Sequence, residues 1–120
     1  MLTIITRKTF NLYRNLQMTK EMIIHPWEFV ADELEARGWT QKYFAEIIQK
    51  SPAEVNHLIT GRRNLNADWA MRIAVAFGTS PELWIRLQNK YDFQMLENSQ
   101  EEQALFKLIE KSVQQELTFA

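Results

Sequence analysis

The sequence predicts an all-α fold, a small bundle of short helices. Two observations point there. The three glycines and three prolines sit as stop and start signals along the chain, and between them apolar residues recur three and four apart, as burial of one helical face requires. The only strand-like run is the brief Leu2-Thr3-Ile4-Ile5-Thr6 at the N-terminus.

Pro26, Pro52 and Pro81 each suit a first helical position, where a missing N–H costs nothing, and Ser51 and Ser80 stand directly before the latter two. Gly38, Gly61 and Gly78 each follow a helix-like stretch and suit its C-terminal cap. Ser51 with Glu54 and Ser99 with Glu102 have capping-box spacing, and Asn66 with Asp68 opens another helix in the same style. The predicted helices are 26–37, 41–49, 52–60, 67–77, 81–91 and 100–117. Their buried faces should be Trp27, Phe29, Val30 and Leu34 in the first and Phe44, Ala45, Ile47 and Ile48 in the second. The fourth offers Ala70, Ile73, Ala74 and Phe77, and the fifth Leu83, Trp84 and Leu87. The domain plan is an N-terminal extension over 1–22, a core domain over 23–93 and a C-terminal helical extension over 94–120.

A chain of 120 residues with 46% apolar content can close one modest core. It has no cysteine, which excludes disulfides and thiolate metal sites and fits a reducing, cytoplasmic setting. No stretch has the length of a membrane span, and no signal peptide is visible at the start. Net charge is −1, but the ends differ. Residues 1–22 carry Arg7, Lys8, Arg14 and Lys20 against Glu21 alone, whereas five glutamates face Lys107 and Lys111 from Glu97 onward.

The stretch Thr40 to Arg63 has the layout of a helix-turn-helix, in which one helix braces and the next presents its first turn to the DNA major groove. Thr40 caps the bracing helix and Gln41 lies at its open N-terminus, where a phosphate meets free backbone N–H groups. Ser51 and Pro52 open the second helix. Val55 and Leu58 turn inward, which leaves Ala53, Asn56, His57 and Thr60 outward. Ala53 and His57, four apart, share a stripe that can meet base edges, a thymine methyl for the alanine and a base or phosphate for the histidine. Asn56 suits adenine or backbone. Arg62 and Arg63, just past Gly61, are placed to clamp phosphates. Taken singly, these are ordinary surface side chains, and Glu54 among them would repel phosphate unless capping holds it aside. With histidine only at positions 25 and 57 and no glycine-rich phosphate loop, no nucleophile–base pair, metal site or cofactor site is expected, and the chain does not read as an enzyme.

Residues 25–92 resemble the HigA-type antitoxins, also called plasmid-maintenance antidote proteins, a branch of the Xre/Cro-like (lambda-repressor-like) helix-turn-helix family. The resemblance lies in His25-Pro26-Trp27-Glu28, Thr40-Gln41, Ala45, Ser51-Pro52, Val55-Asn56, Gly61-Arg62-Arg63 and Asn66-Ala67-Asp68-Trp69-Ala70. Most specific is Phe77-Gly78-Thr79-Ser80-Pro81-Glu82-Leu83-Trp84 with Leu87-Gln88 and Tyr91-Asp92. It implies a five-helix domain that forms a homodimer, binds a palindromic double-stranded operator at its own promoter and neutralises a HigB-type toxin, a small RelE-like ribonuclease. A stand-alone regulator of the same family would use the same DNA contacts without a toxin. One departure stands in the turn, where Gln49 replaces the family's usual glycine and should adopt a left-handed backbone at about 1 kcal/mol.

The flanks lie outside that pattern. The last helix lines up Leu105, Leu108, Ile109, Ser112 and Val113 with Phe106 beside them, a stripe that could pack on its own bundle or across a dimer, or lie in a toxin groove. The N-terminal flank, with Ile4, Ile5, Phe10, Leu12, Tyr13 and Leu16, could wrap a partner, add an edge strand or fray, and Met18 and Met22 offer later translation starts. Trp69 and Trp84 should be core, with Trp84 near a dimer seam, and Trp39 should seal the corner between the first two helices.

Overall fold

The computed structural model describes residues 23–119, with side-chain surroundings given through residue 116. The expectations for residues 1–22, including the Leu2–Thr6 strand, the wrapping flank and the later start sites, lie outside that range.

Six helices follow one another: α1 (Pro26–Arg37), α2 (Gln41–Ile48), α3 (Pro52–Ile59), α4 (Ala67–Phe77), α5 (Pro81–Glu97) and α6 (Gln100–Phe119). No strand occurs among the described residues. The start signals act as their chemistry requires. Thr40, Ser51, Asn66 and Ser80 each accept a backbone N–H of the first turn, from Tyr43, Glu54, Trp69 and Leu83 respectively. Ser99 does the same for Glu102 at 3.2 Å. One cap went unread: the Nδ1 of His25 accepts the Trp27 N–H at 3.1 Å and opens α1.

The core gathers Val30, Phe44, Val55, Leu58, Trp69, Ile73 and Trp84, all within 1% of full burial. In it α1 packs on α3 and α5, α2 on α3 and α4, and α4 on α5. Phe44 and Phe77 stack at 5.3 Å between centroids, and Trp39 closes the α1–α2 corner between Tyr43 and Phe77. The Arg37 guanidinium lies 5.3 Å from the Trp39 ring centroid and donates to the buried Glu33 carboxylate and to the last carbonyl of α4, Phe77 O. Burying Glu33 is tolerable because the acid is paired and hydrogen-bonded.

Four expectations are corrected. Ile47 is 39% exposed rather than core, because it lies on the flank of α2 next to an open groove with Met71 and Val75 of α4. Helix α5 runs to Glu97 instead of stopping near 91; no proline or glycine follows Tyr91 to stop it, and Gln94 is buried along the extra turns. Trp84 is wholly enclosed, its Nε1 donating to Thr79 Oγ1 at 2.7 Å, so it presents no surface to a dimer seam. The α6 stripe does not pack on its own bundle: Leu105, Phe106, Leu108, Ile109 and Val113 are all exposed.

Candidate nucleic-acid interface

The bracing and recognition helices meet through a tight turn at Gln49, whose φ of 58° and ψ of 49° are the left-handed values expected of it. Its backbone N–H and that of Lys50 close the end of α2 onto Glu46 O and Ala45 O. Arg72 of α4 secures the same turn from behind. Its Nη1 donates to Ile48 O at 2.6 Å and its Nε to Asp68 at 2.9 Å, while Asp68 also pairs with Lys50 at 2.9 Å. These cations, Lys50 before Arg72, hold the Asp68 carboxyl below its usual range. An arginine on a C-terminal carbonyl is well matched to the helix dipole.

Along α3, Val55 and Leu58 are fully buried, and Ala53, Asn56, His57 and Thr60 are exposed, as are Ser51 and Pro52. The expected in–out arrangement is therefore present. Ser51 and Glu54 form a complete capping box: Glu54 N donates to Ser51 Oγ at 3.1 Å, and Ser51 N donates to Glu54 Oε2 at 2.8 Å. That second bond holds the Glu54 carboxyl low and ties its charge to the protein backbone. The acid that seemed set against phosphate is thereby occupied.

Thr40 and Gln41 are exposed at the start of α2. Thr40 caps the Tyr43 N–H, which leaves the N–H groups of Gln41 and Lys42 without intrahelical partners, as the first turn of any helix must. The Gln41 side chain comes within 3.5 Å of Asn56 on α3, so two amides fifteen residues apart meet at one place.

Beyond α3 the chain folds back sharply. The backbone N–H groups of Arg62 and Arg63 both donate to His57 O, at 2.8 and 3.2 Å. Gly61 makes this possible with φ +75°, and a Cβ there would stand 2.8 Å from Trp27 Nε1. The Arg62 side chain is exposed, while Arg63 is half-buried with its guanidinium 5.8 Å from the Trp69 ring centroid, a cation–π contact that restrains the cation. The loop is also held by a residue that the sequence offers only as part of the family motif. Gln88 of α5 is buried; its Oε1 accepts Leu65 N–H at 2.8 Å and its Nε2 donates to Asp92 at 2.9 Å. A glutamine among apolar helix residues carries no signal of a loop twenty-three residues away.

Of the ten expected contact residues, Thr40 and Gln41 sit at the start of α2, Ser51, Pro52, Ala53, Asn56, His57 and Thr60 along α3 and at its two caps, and Arg62 and Arg63 in the loop after it, all exposed except the half-buried Arg63. No group of three or more metal-ligating side chains occurs among the described residues.

A helix-turn-helix family model matches residues 30–84. Antitoxin HigA-1 of Vibrio cholerae is 33% identical over 92 residues, which are 76% of this chain and 87% of that protein. Among solved structures, an addiction module antidote protein of the HigA family from Coxiella burnetii superposes with TM-score 0.62 at 34% identity, over 74% of this chain and 92% of that one. The Pseudomonas aeruginosa antitoxin HigA, solved with the higBA promoter, gives 0.63 at 30% identity, over 75% and 94%. Six helices in this order, an open recognition helix and these relatives agree: the chain belongs to the HigA-type antitoxins of the Xre-like helix-turn-helix family.

Proposed function

We propose that this protein is the antitoxin of a type II toxin–antitoxin module, which represses its own operon as a homodimer on double-stranded operator DNA and neutralises a HigB-type, RelE-like ribonuclease. The observation that carries the DNA half is the open line of Gln41, Ala53, Asn56 and His57, with Val55 and Leu58 hidden behind it and Arg62 beside it. Gln41, Asn56, Ala53 and His57 meet base edges and the adjacent backbone. The free N–H groups opening α2, together with Arg62 and Arg63, hold phosphates and set the register. Two copies related by a two-fold axis place their recognition helices about 34 Å apart, so the operator is an inverted repeat with roughly one turn between half-site centres. The role is binding rather than catalysis, exercised in the cytoplasm.

Support for the toxin half comes from the antitoxin relatives and the signature over Phe77–Asp92. A stand-alone regulator would share the DNA face, so the test has two arms. In the first, titration of the chain onto its own upstream DNA should give a specific complex. Replacing Arg62 and Arg63 by alanine should weaken binding to all sequences and flatten the log–log salt slope by about one to two units. Normal binding by the double variant at every salt concentration would remove this face from the interface. In the second arm, the product of an adjoining small reading frame is co-expressed. Growth arrest and messenger-RNA cleavage relieved by this chain support the toxin half, and no such effect leaves only the regulator.

A further inference from the structure

Among the described residues, helix α6 leaves more large apolar side chains uncovered than any other element. Leu105 is 48% exposed, Phe106 40%, Leu108 63%, Ile109 54% and Val113 51%. At 100° per residue they fall with Ser112 on one broad face, with Lys107 and Lys111 on the opposite side and Glu102 and Glu116 at the two ends of the apolar face. Resting on the toxin reading above, we infer that this face is the toxin-docking element: α6 lies in an apolar groove of a basic protein, whose cations meet the glutamates at both ends.

Three observations favour that occupant over a second copy of the chain. The first is area. These five side chains expose roughly 450 Å² together, the size of the largest and often functional patch on a monomer but well short of the about 800 Å² per partner of a stable interface. A groove closing around the helix buries more of its flanks than a single α6 laid against α6 does. The second is breadth, since the face spans nearly half the helix circumference where a two-stranded seam uses a narrow stripe. The third is charge. In either orientation, self-pairing brings the terminal glutamates of one copy near those of the other, and a basic groove turns the same residues into attraction. The elements of the DNA face, α2, α3 and the loop after α3, are separate from α6 in the chain, and α6 packs on α5, so both partners can be held at once.

The test uses the full chain and the purified product of the adjoining reading frame. Ile109→Glu and Leu105→Glu introduce charge into the apolar face, where both side chains are solvent-exposed, and should leave helical content and operator binding unchanged. Both should weaken the partner's binding at least about 30-fold, as expected at the centre of an interface. Glu102→Gln combined with Glu116→Lys should weaken it less and reduce its salt dependence. Wild-type affinity in the Ile109→Glu variant, with the wild-type chain binding the partner, overturns the assignment of α6 and leaves the toxin reading standing. Loss of self-association in that variant with partner binding kept gives the face to a second copy and equally overturns it. Failure of the wild-type chain to bind the adjoining product refutes the toxin reading itself.

Discussion

At Gly61 two demands coincide that a sequence shows only in part. The positive φ was foreseeable from its place after a helix, but the Trp27 ring lying 2.8 Å from a would-be Cβ was not. Gly38 isolates the first demand, since its φ is +68° and nothing lies within 4 Å of a Cβ there. Gly38→Ala should therefore cost about 1 kcal/mol for the left-handed backbone, and Gly61→Ala about 2–3 kcal/mol with the added overpacking. Paired urea melts measure the difference, and equal losses would mean that Trp27 yields freely. Gln49 runs the other way: Gln49→Gly relieves a left-handed side-chain residue and should stabilise by up to about 1 kcal/mol. Histidine 57 is exposed at mid-face, so His57→Ala should alter the preferred operator sequence in a binding-site selection while leaving the fold intact.

The recognition helix is eight residues long, too short to be stable alone, so its orientation comes from what surrounds it. Arg72 is the clearest such support because one guanidinium joins the end of α2 to the start of α4. Arg72→Ala should destabilise by about 1.5–3 kcal/mol, the range for hydrogen bonds to a charged group, and also lower operator affinity. Arg72→Lys, able to make one of those contacts, should recover part of both. Loss of stability with full operator affinity would confine Arg72 to a structural role. Gln88 acts on the loop that carries the arginines, and the length of α5 that contributes Asp92 and Gln94 was unreadable because no breaker marks where that helix ends. The serine, threonine and asparagine caps were readable because such a cap is a contact between residues three apart, whereas the histidine cap of α1 was not, because histidine is not one of the favoured capping residues.

For the molecule as a whole, stability should depend on pH through His25. Its imidazole is enclosed beneath Tyr91 at 4.4 Å, and burial lowers its pKa, with Asn64 and Asp92 acting more weakly in the opposite sense. A group that resists protonation when folded contributes its stability fully above the unfolded value of about 6.5 and loses it as pH falls through that value toward the folded one. Urea midpoints should thus decline between pH 7.5 and 5, before the depressed carboxyls of Glu54 and Asp68 begin to protonate at lower pH. His25→Asn keeps an acceptor for the Trp27 N–H and should flatten that decline; an unchanged slope would place its origin elsewhere.

The helices apart from the end of α5, their caps apart from His25, the left-handed Gln49 and the inward or outward side of α3 were legible in the chain, because each rests on contacts within about four residues or on a single backbone preference. The resemblance to the antitoxin family was legible for the same reason, being a series of short motifs. Tertiary structure alone decided the rest: that Gln41 reaches Asn56, that Arg72 fastens the turn, that Gln88 supports the arginine loop, that Trp84 is enclosed and that α6 stands uncovered. Those are relations between distant residues, and amphipathic spacing states that a face is apolar without stating what covers it.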